Sequence, residues 1–156
     1  MTHADGFEMP SMEYTAFCEL HREAYVRYIL TRVGDADLSE RIVATAFATL
    51  AAIWPSVISS SRPEAVAWAV LGGLVDSTLH GVHSSAPLEE DEVYRQLPVA
   101  QADVVVLRCR MALSAGQTAH LMGLEEPTVA VRLRSAGRSL PPRLAGVVER
   151  CIGQGA

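Results

Sequence analysis

The stretch from Leu113 to Leu140, LSAGQTAHLMGLEEPTVAVRLRSAGRSL, constrains the fold more than any other. It predicts a helix, a tight turn and a second helix. Ser114 can cap the first helix, with Gln117 at the spacing of a capping box. Ala119 is small enough for a second helix to cross closely. Gly123 ends the first helix, because glycine adopts the left-handed C′ conformation without a steric penalty. Pro127 suits the first turn of the next helix, where a missing N–H costs no hydrogen bond. Val129, Leu133 and Ala136 recur at helical spacing and leave Arg132, Arg134 and Arg138 towards solvent. This is the layout of a helix-turn-helix, whose second helix enters a DNA major groove.

The rest of the chain also reads as helix. Residues 1–11 lack periodicity and read as a loose tail. Met12 to Val33 predicts a helix with Phe17, Leu20, Ala24 and Tyr28 on one face and Tyr14, Tyr25 and Ile29 beside them. Gly34 ends it. Asp37 or Ser39 can cap a second helix, from about Leu38 to Trp54, that Pro55 ends. Val57 to Pro63 is a serine-rich loop. Glu64 to His80 is a third helix, and Gly72-Gly73 in its middle predicts a kink or a close helix contact. Small, polar and acidic residues over 81–92 predict a linker. Pro98 opens a helix to about Met111, and Arg143 to Ile152 forms a short last helix. The expectation is an all-α chain of two small helical domains, 12–80 and 93–152, joined by that linker.

Composition narrows the class. Hydrophobic residues make up 49% and charged residues 20% of 156 residues, the balance of a globular chain. The longest apolar run, Val99 to Leu107, is broken by Gln101 and Asp103 and falls short of the ~18–20 residues that span a bilayer. The N-terminus has neither a basic segment nor an apolar one, so no signal peptide is expected. Cys18, Cys109 and Cys151 lie far apart, which fits buried thiols in a reducing cytoplasm. The basic residues are thirteen arginines and no lysine, which points to GC-rich bacterial coding. Residues 1–96 carry fourteen acids and six arginines, and residues 97–156 carry four acids and seven arginines. Only the second balance suits contact with nucleic acid.

Two segments in this order resemble the extracytoplasmic-function sigma factors of bacteria. The first, AFCELHREAYVRYILTRVGDADLSERIVATAFATL, looks like the family's core-binding helix pair through Ala16-Phe17, His21, Arg27-Tyr28, Gly34-Asp35, Glu40, Val43, Phe47 and Leu50. The second, from Leu97 to Leu140, is similar to the family's promoter −35 reader. Its signals are Leu97-Pro98, Gln101, Leu107-Arg108, Leu113-Ser114, Ala119, Gly123, Thr128-Val129, Arg132-Leu133 and Ala136. The resemblance implies two partners, promoter DNA and RNA polymerase core. It places Thr128, Arg132, Arg134, Ser135 and Arg138 against DNA.

The sequence departs from the family at its working surfaces. The family carries an Asp and a Gln-Glu pair against the polymerase clamp, and the matching positions here are Arg41, Ala44 and Thr45. Glu40, Arg41, Ala44, Thr45 and Trp68 are therefore candidates for an altered polymerase or partner interface. Promoter melting needs cations for phosphates and flat rings for bases. The matching helix here reads WAVLGGLVDSTLHG. Its apolar face, with Trp68, suits a packed core, a protein partner, a homodimer or docking of the two halves. In the DNA reader, Ala130 stands where a basic residue is common, and Glu125 and Glu126 oppose phosphates. The leading expectation is a divergent sigma-like, cytoplasmic regulator that binds promoter DNA. The other is a protein-interaction module with a sigma-like shape that no longer binds DNA.

Other chemistries find little support. Cys18 with His21, and His80 with His83, have one-turn spacing but no second pair to complete a metal site. Asp76, Ser77 and His80 share a helix and cannot form a triad. No enzyme activity, cofactor or metal is expected. Arg108 and Arg110 read as packing or surface charge. The acidic run Glu89 to Glu92 reads as solvated linker, or as a phosphate mimic folded onto the arginines of the second half.

Overall fold

A computed structural model describes residues 11–80 and 91–154. Regular structure among the described residues is all helical. No described helix is long and apolar enough to cross a membrane. Most of the expected linker lies outside the described residues.

Helix α1, Met12–Val33, starts where the Ser11 side chain accepts the Tyr14 N–H at 3.1 Å. It ends at Gly34, whose φ of 72° is left-handed. Its buried side is Phe17, His21, Tyr25, Tyr28 and Arg32, with Cys18, Ile29 and Val33. Leu20, expected in that stripe, is 65% exposed. The stripe advances by four, four and three residues from Phe17, and leucine alone does not show which of two adjacent rows faces inward.

Helix α2 spans Ala36–Ala52. Its cap is Asp35, which accepts the Leu38 N–H at 2.9 Å, in place of the expected Asp37 or Ser39. Ser39 is fully buried and donates to the Asp35 carbonyl. Pro55 does not close α2; it sits in the first turn of α3, Trp54–Ser59, where its missing N–H is harmless. Trp54 and Val57 anchor α3, so half of the expected serine-rich loop is helix.

Helix α4, Pro63–His80, runs uninterrupted through Gly72-Gly73. Among the described residues a Cβ at either glycine would meet nothing within 4 Å, so none of them makes the expected close contact there. The helix packs through Ala67, Leu71, Val75 and Leu79 on another face.

In the second half, Asp91 caps α5, Glu92–Gln96. Pro98 opens α6, Val99–Val105. The helix expected to reach Met111 then widens into a π-helical turn, Val106–Arg110, closed by Met111 N–H to the Val106 carbonyl at 3.0 Å. Ala112 follows at φ 56°. Helix α7, Ala115–Met122, carries the full capping box between Ser114 and Gln117. Gly123 is left-handed, with Leu124 N–H bonded to the Ala119 carbonyl at 2.8 Å. Helix α8, Glu126–Ser139, has Pro127 in its first turn and buries Val129, Leu133 and Ala136. Helix α9, Pro142–Gln154, starts one residue before the expected Arg143 and packs along α8.

The buried residues form one continuous cluster through both halves. Helix α4 links them: it packs on α1, α2 and α3 and also on α7. The approach is tight at Gly123, where a Cβ would lie 2.3 Å from the Ala65 nitrogen. Glycine is required there twice, by φ and by space.

Gly123→Ala should therefore destabilise the protein by roughly 3 kcal/mol, from left-handed strain plus a backbone clash. Gly34 has the same φ but nothing within 4 Å. Gly34→Ala should lose only about 1 kcal/mol. Urea denaturation of both variants checks the difference; equal losses would mean that α4 does not press on the turn.

Candidate nucleic-acid interface

Helix α8 separates its residues by chemistry. Val129, Leu133 and Ala136 are buried against α6, α7 and α9. Arg134 and Arg138 are exposed, and Thr128, Arg132 and Ser135 are half-buried. Arg138 Nη2 donates to Ser135 Oγ at 3.3 Å. Val131, 52% exposed, lies among the arginines. The residues expected to face DNA are thus on the outer side or flanks of one helix.

The two acids at the start of α8 are engaged. Arg62, from the turn before α4, forms an ion pair with Glu125 and donates to the Gly123 carbonyl at 3.3 Å. Glu126 leans over the first turn of α7, with Oε1 2.9 Å from where a Gly116 Cβ would stand. Negative charge there suits the positive end of the α7 dipole. The Arg62 pair is exposed and contributes at most ~1 kcal/mol to stability. It nevertheless neutralises a charge that opposes phosphate, through a pairing 63 positions long that no local motif reveals.

Four other arginines make contacts within the fold. Arg108 Nη1 donates to the Leu113 carbonyl at 2.7 Å, and Arg27 to the Met111 carbonyl at 3.3 Å. Arg110 holds Asp91 with two bonds of 2.7 and 2.9 Å, and this guanidinium keeps the Asp91 carboxyl below the usual range. Arg143 pairs with Glu92. The end of the acidic run does fold onto arginines of the second half, but not onto those of α8. Glu89 and Glu90 lie outside the described residues.

The other candidate surface is on α2. Glu40, Arg41, Ala44 and Thr45 are all exposed along one side of the helix. A shallow groove beside them, between α2 and α4, is lined by Leu38, Arg41, Ile42, Thr45, Leu74 and Ser77. Trp68 does not join this surface. It is half-buried in the seam between the halves, with its ring centroid 4.5 Å from that of Tyr28.

That seam is built on Asp103, which is 4% exposed. Tyr28 and Tyr94 each donate a hydroxyl to its Oδ1 at 2.6 Å, and Trp68 Nε1 donates to Oδ2 at 3.3 Å. Arg32 Nη1 donates to the Tyr28 oxygen at 3.1 Å and its guanidinium lies 3.9 Å over the Tyr94 ring. Burial pushes the Asp103 carboxyl up, and the two tyrosines, Arg32 and Trp68 pull against that shift. Burial likewise raises both tyrosines, so their hydroxyls keep their protons and donate. Donors from α1, α4 and α5 thus converge on one α6 side chain. Sequence reasoning read Asp103 only as an interruption of an apolar run. One acid inside Val99–Leu107 was the available signal for a buried, paired carboxylate.

A second contact crosses the same seam. His21 of α1 is 3% exposed, and its ring centroid is 5.4 Å from that of His120 on α7. Burial, with His120 beside it, lowers His21 to about 4. His21 and Cys18 gain no further ligands: no group of three or more metal-binding side chains occurs among the described residues. His83 lies outside them.

Asp103→Ala should cost about 3–5 kcal/mol, because it strands three buried donors. Tyr94→Phe removes one charge-assisted bond and should cost roughly 2 kcal/mol. Urea melts measure both, and a near-neutral Asp103→Ala would mean the seam is not closed. For His21 the sign follows from its depressed pKa. Unfolded, it titrates near 6.5; folded, it binds a proton only near 4. Its contribution is complete above about pH 6.5 and is lost as pH falls to about 4, up to about 3 kcal/mol. His21→Phe should flatten the stability profile in that window, and an unchanged slope would contradict the assignment.

The sequence matches no known protein-family model and no curated protein.

Proposed function

We propose that the chain is a sigma-factor-like transcription regulator that binds promoter DNA through α8. Its first half acts as a docked support and not as a promoter-melting unit. The observation that carries this reading is the arginine face of α8. Arg134 and Arg138 are exposed opposite a stripe of Val129, Leu133 and Ala136, on a helix whose turn has a full capping box and a left-handed glycine. Phosphate contacts by Arg132, Arg134 and Arg138 give a salt slope of about −2.7, a modest affinity suited to a protein that acts with a partner. Glu40, Arg41, Ala44 and Thr45 are exposed for a protein such as RNA polymerase core.

Selection from a genomic DNA library with the full chain should enrich one sequence motif. Arg134→Ala combined with Arg138→Ala should weaken binding to that motif at least tenfold and lower the salt slope by roughly 1.8. Unchanged binding by a folded double variant would refute α8 as the reader. Pull-down with core polymerase separates a sigma factor that joins the enzyme from a regulator that acts on DNA alone.

A second reading is a protein-interaction module without DNA binding. It is favoured by the start of α8, where Arg62 and α4 stand against Gly123 and Glu125. That end of a recognition helix normally meets base edges. It predicts no enriched DNA motif, together with a defined protein partner or a homodimer.

A further inference from the structure

Two of the three cysteines, 42 positions apart in sequence, meet in the fold. Cys109 is in the π-helical turn and Cys151 is near the end of α9. The turn and α9 pack together, both cysteines lie against the core between them, and Cys151 is near enough to act on the Cys109 thiol. Both are half-buried, so a small solute can reach them, whereas Cys18 is buried in the first half. The π-helical turn is the wide turn that displaces the end of the α6 helix from ordinary α-helical register. The segment between the two cysteines contains the whole of α7 and α8.

We infer that Cys109 and Cys151 form a reversible redox pair, oxidised by hydrogen peroxide to a disulfide that staples α9 to the π-helical turn and closes a covalent ring around the helix-turn-helix. Burial and the neighbouring Cys151 push Cys109 up to about 12. The reaction balances with either thiol first; with Cys151 first, Cys109 is the resolving thiol. The Cys151 sulfur, having given up its proton, attacks one peroxide oxygen; the O–O bond breaks and hydroxide leaves, taking that proton as water. Cys151 is then a sulfenic acid. The Cys109 sulfur displaces its hydroxyl: an S–S bond forms, the S–O bond breaks, and the Cys109 proton leaves with the hydroxyl as a second water. Two thiols lose two electrons and two protons, and peroxide becomes two waters. A dithiol such as dithiothreitol reverses the step.

The ring matters because α9 packs along the inner side of α8. Gly137 of α8 would place a Cβ 3.3 Å from the Val148 side chain, so the two helices are already in close contact. A covalent tie holds that contact through any loosening of the seam with the first half. Because the ring is long, loop closure stabilises the oxidised form by restricting its unfolded ensemble.

The test uses the full chain. Reduced protein is treated with stoichiometric peroxide, denatured, alkylated with N-ethylmaleimide and weighed. The expected product has lost two hydrogens and carries one adduct, on Cys18, against three adducts after dithiothreitol. Its Tm should rise by several degrees over the reduced form. Cys151→Ser should abolish both changes, and Cys18→Ser should leave both intact. Three adducts after peroxide, or added oxygen without a cross-link, would overturn the pairing. So would a disulfide involving Cys18 or a second chain. A cross-link that forms without a rise in Tm would overturn the staple.

Discussion

The docking of the two halves depends on the Asp103 carboxylate. It sits on α6 and takes hydrogen bonds from α1, α4 and α5. A buried charge is tolerated only where it is paired and its lone pairs are satisfied. Here both oxygens are used, and the positive group is Arg32, one helical turn beyond Tyr28 on α1. The tyrosine between them is matched on both sides: its proton goes to Asp103 and its lone pair receives an Arg32 N–H. A leucine in place of Asp103 would pack with less desolvation. It would also permit α1 to slide along α6, since apolar contact has no direction. With a carboxylate, any shift of a turn leaves three donors and an acid unpaired, so a single register survives.

That register sets the surroundings of α8. With α1 fixed on α6, α4 lies across the helix-turn-helix turn, and Ala65 and Gly123 meet backbone to backbone. Arg62 is then placed on the Gly123 carbonyl and on Glu125. The first half carries a strong negative balance, yet the group it presents at the start of α8 is its one arginine between Ile42 and Tyr94. Electrostatics at α8 therefore follow from a packing contact more than 60 residues away in sequence. Net charge by segment does not reveal it.

What was legible in the chain divides by range. The helix-turn-helix was readable to the residue because its determinants are local: Ser114 with Gln117, Gly123, Pro127 and the Val129, Leu133, Ala136 stripe. Each acts within a few residues, so no distant partner is needed to see it. The ends of α1 were readable for the same reason. Pro55 was misread because one residue supports two outcomes, stopping the helix before it or starting the helix that contains it. Trp54 and Val57, anchored in the core, decide for the second. The seam was not legible. Tyr28, Trp68 and Asp103 are each unremarkable in sequence, and their meaning lies in pairings 75 and 35 positions long. Trp68 reads equally as core, as a partner surface or as a face docking the two halves, because an aromatic on an apolar helix looks the same facing a partner protein or the other half of its own chain; the seam decides for the last. The family resemblance, untouched by the fold class alone, has the same limit: it speaks for short motifs and is silent on how the halves meet.

The seam also limits what the first half can do. A unit that melts promoters needs a cationic, aromatic surface open to single strands. Here the aromatic residues Tyr25, Tyr28, Phe47 and Trp54 are buried, and Trp68 is spent on Asp103. Helix α4 carries no arginine or lysine, and its apolar face packs on α1, α2 and α7. Gly72 and Gly73 mark the side left over, where no described residue would come within 4 Å of a Cβ. The candidate surfaces left exposed are the arginine side of α8 and the outer side of α2. The seam holds them in one fixed relation. A protein that engages DNA through the first and a partner through the second must do so with that geometry, unless the Asp103 network opens.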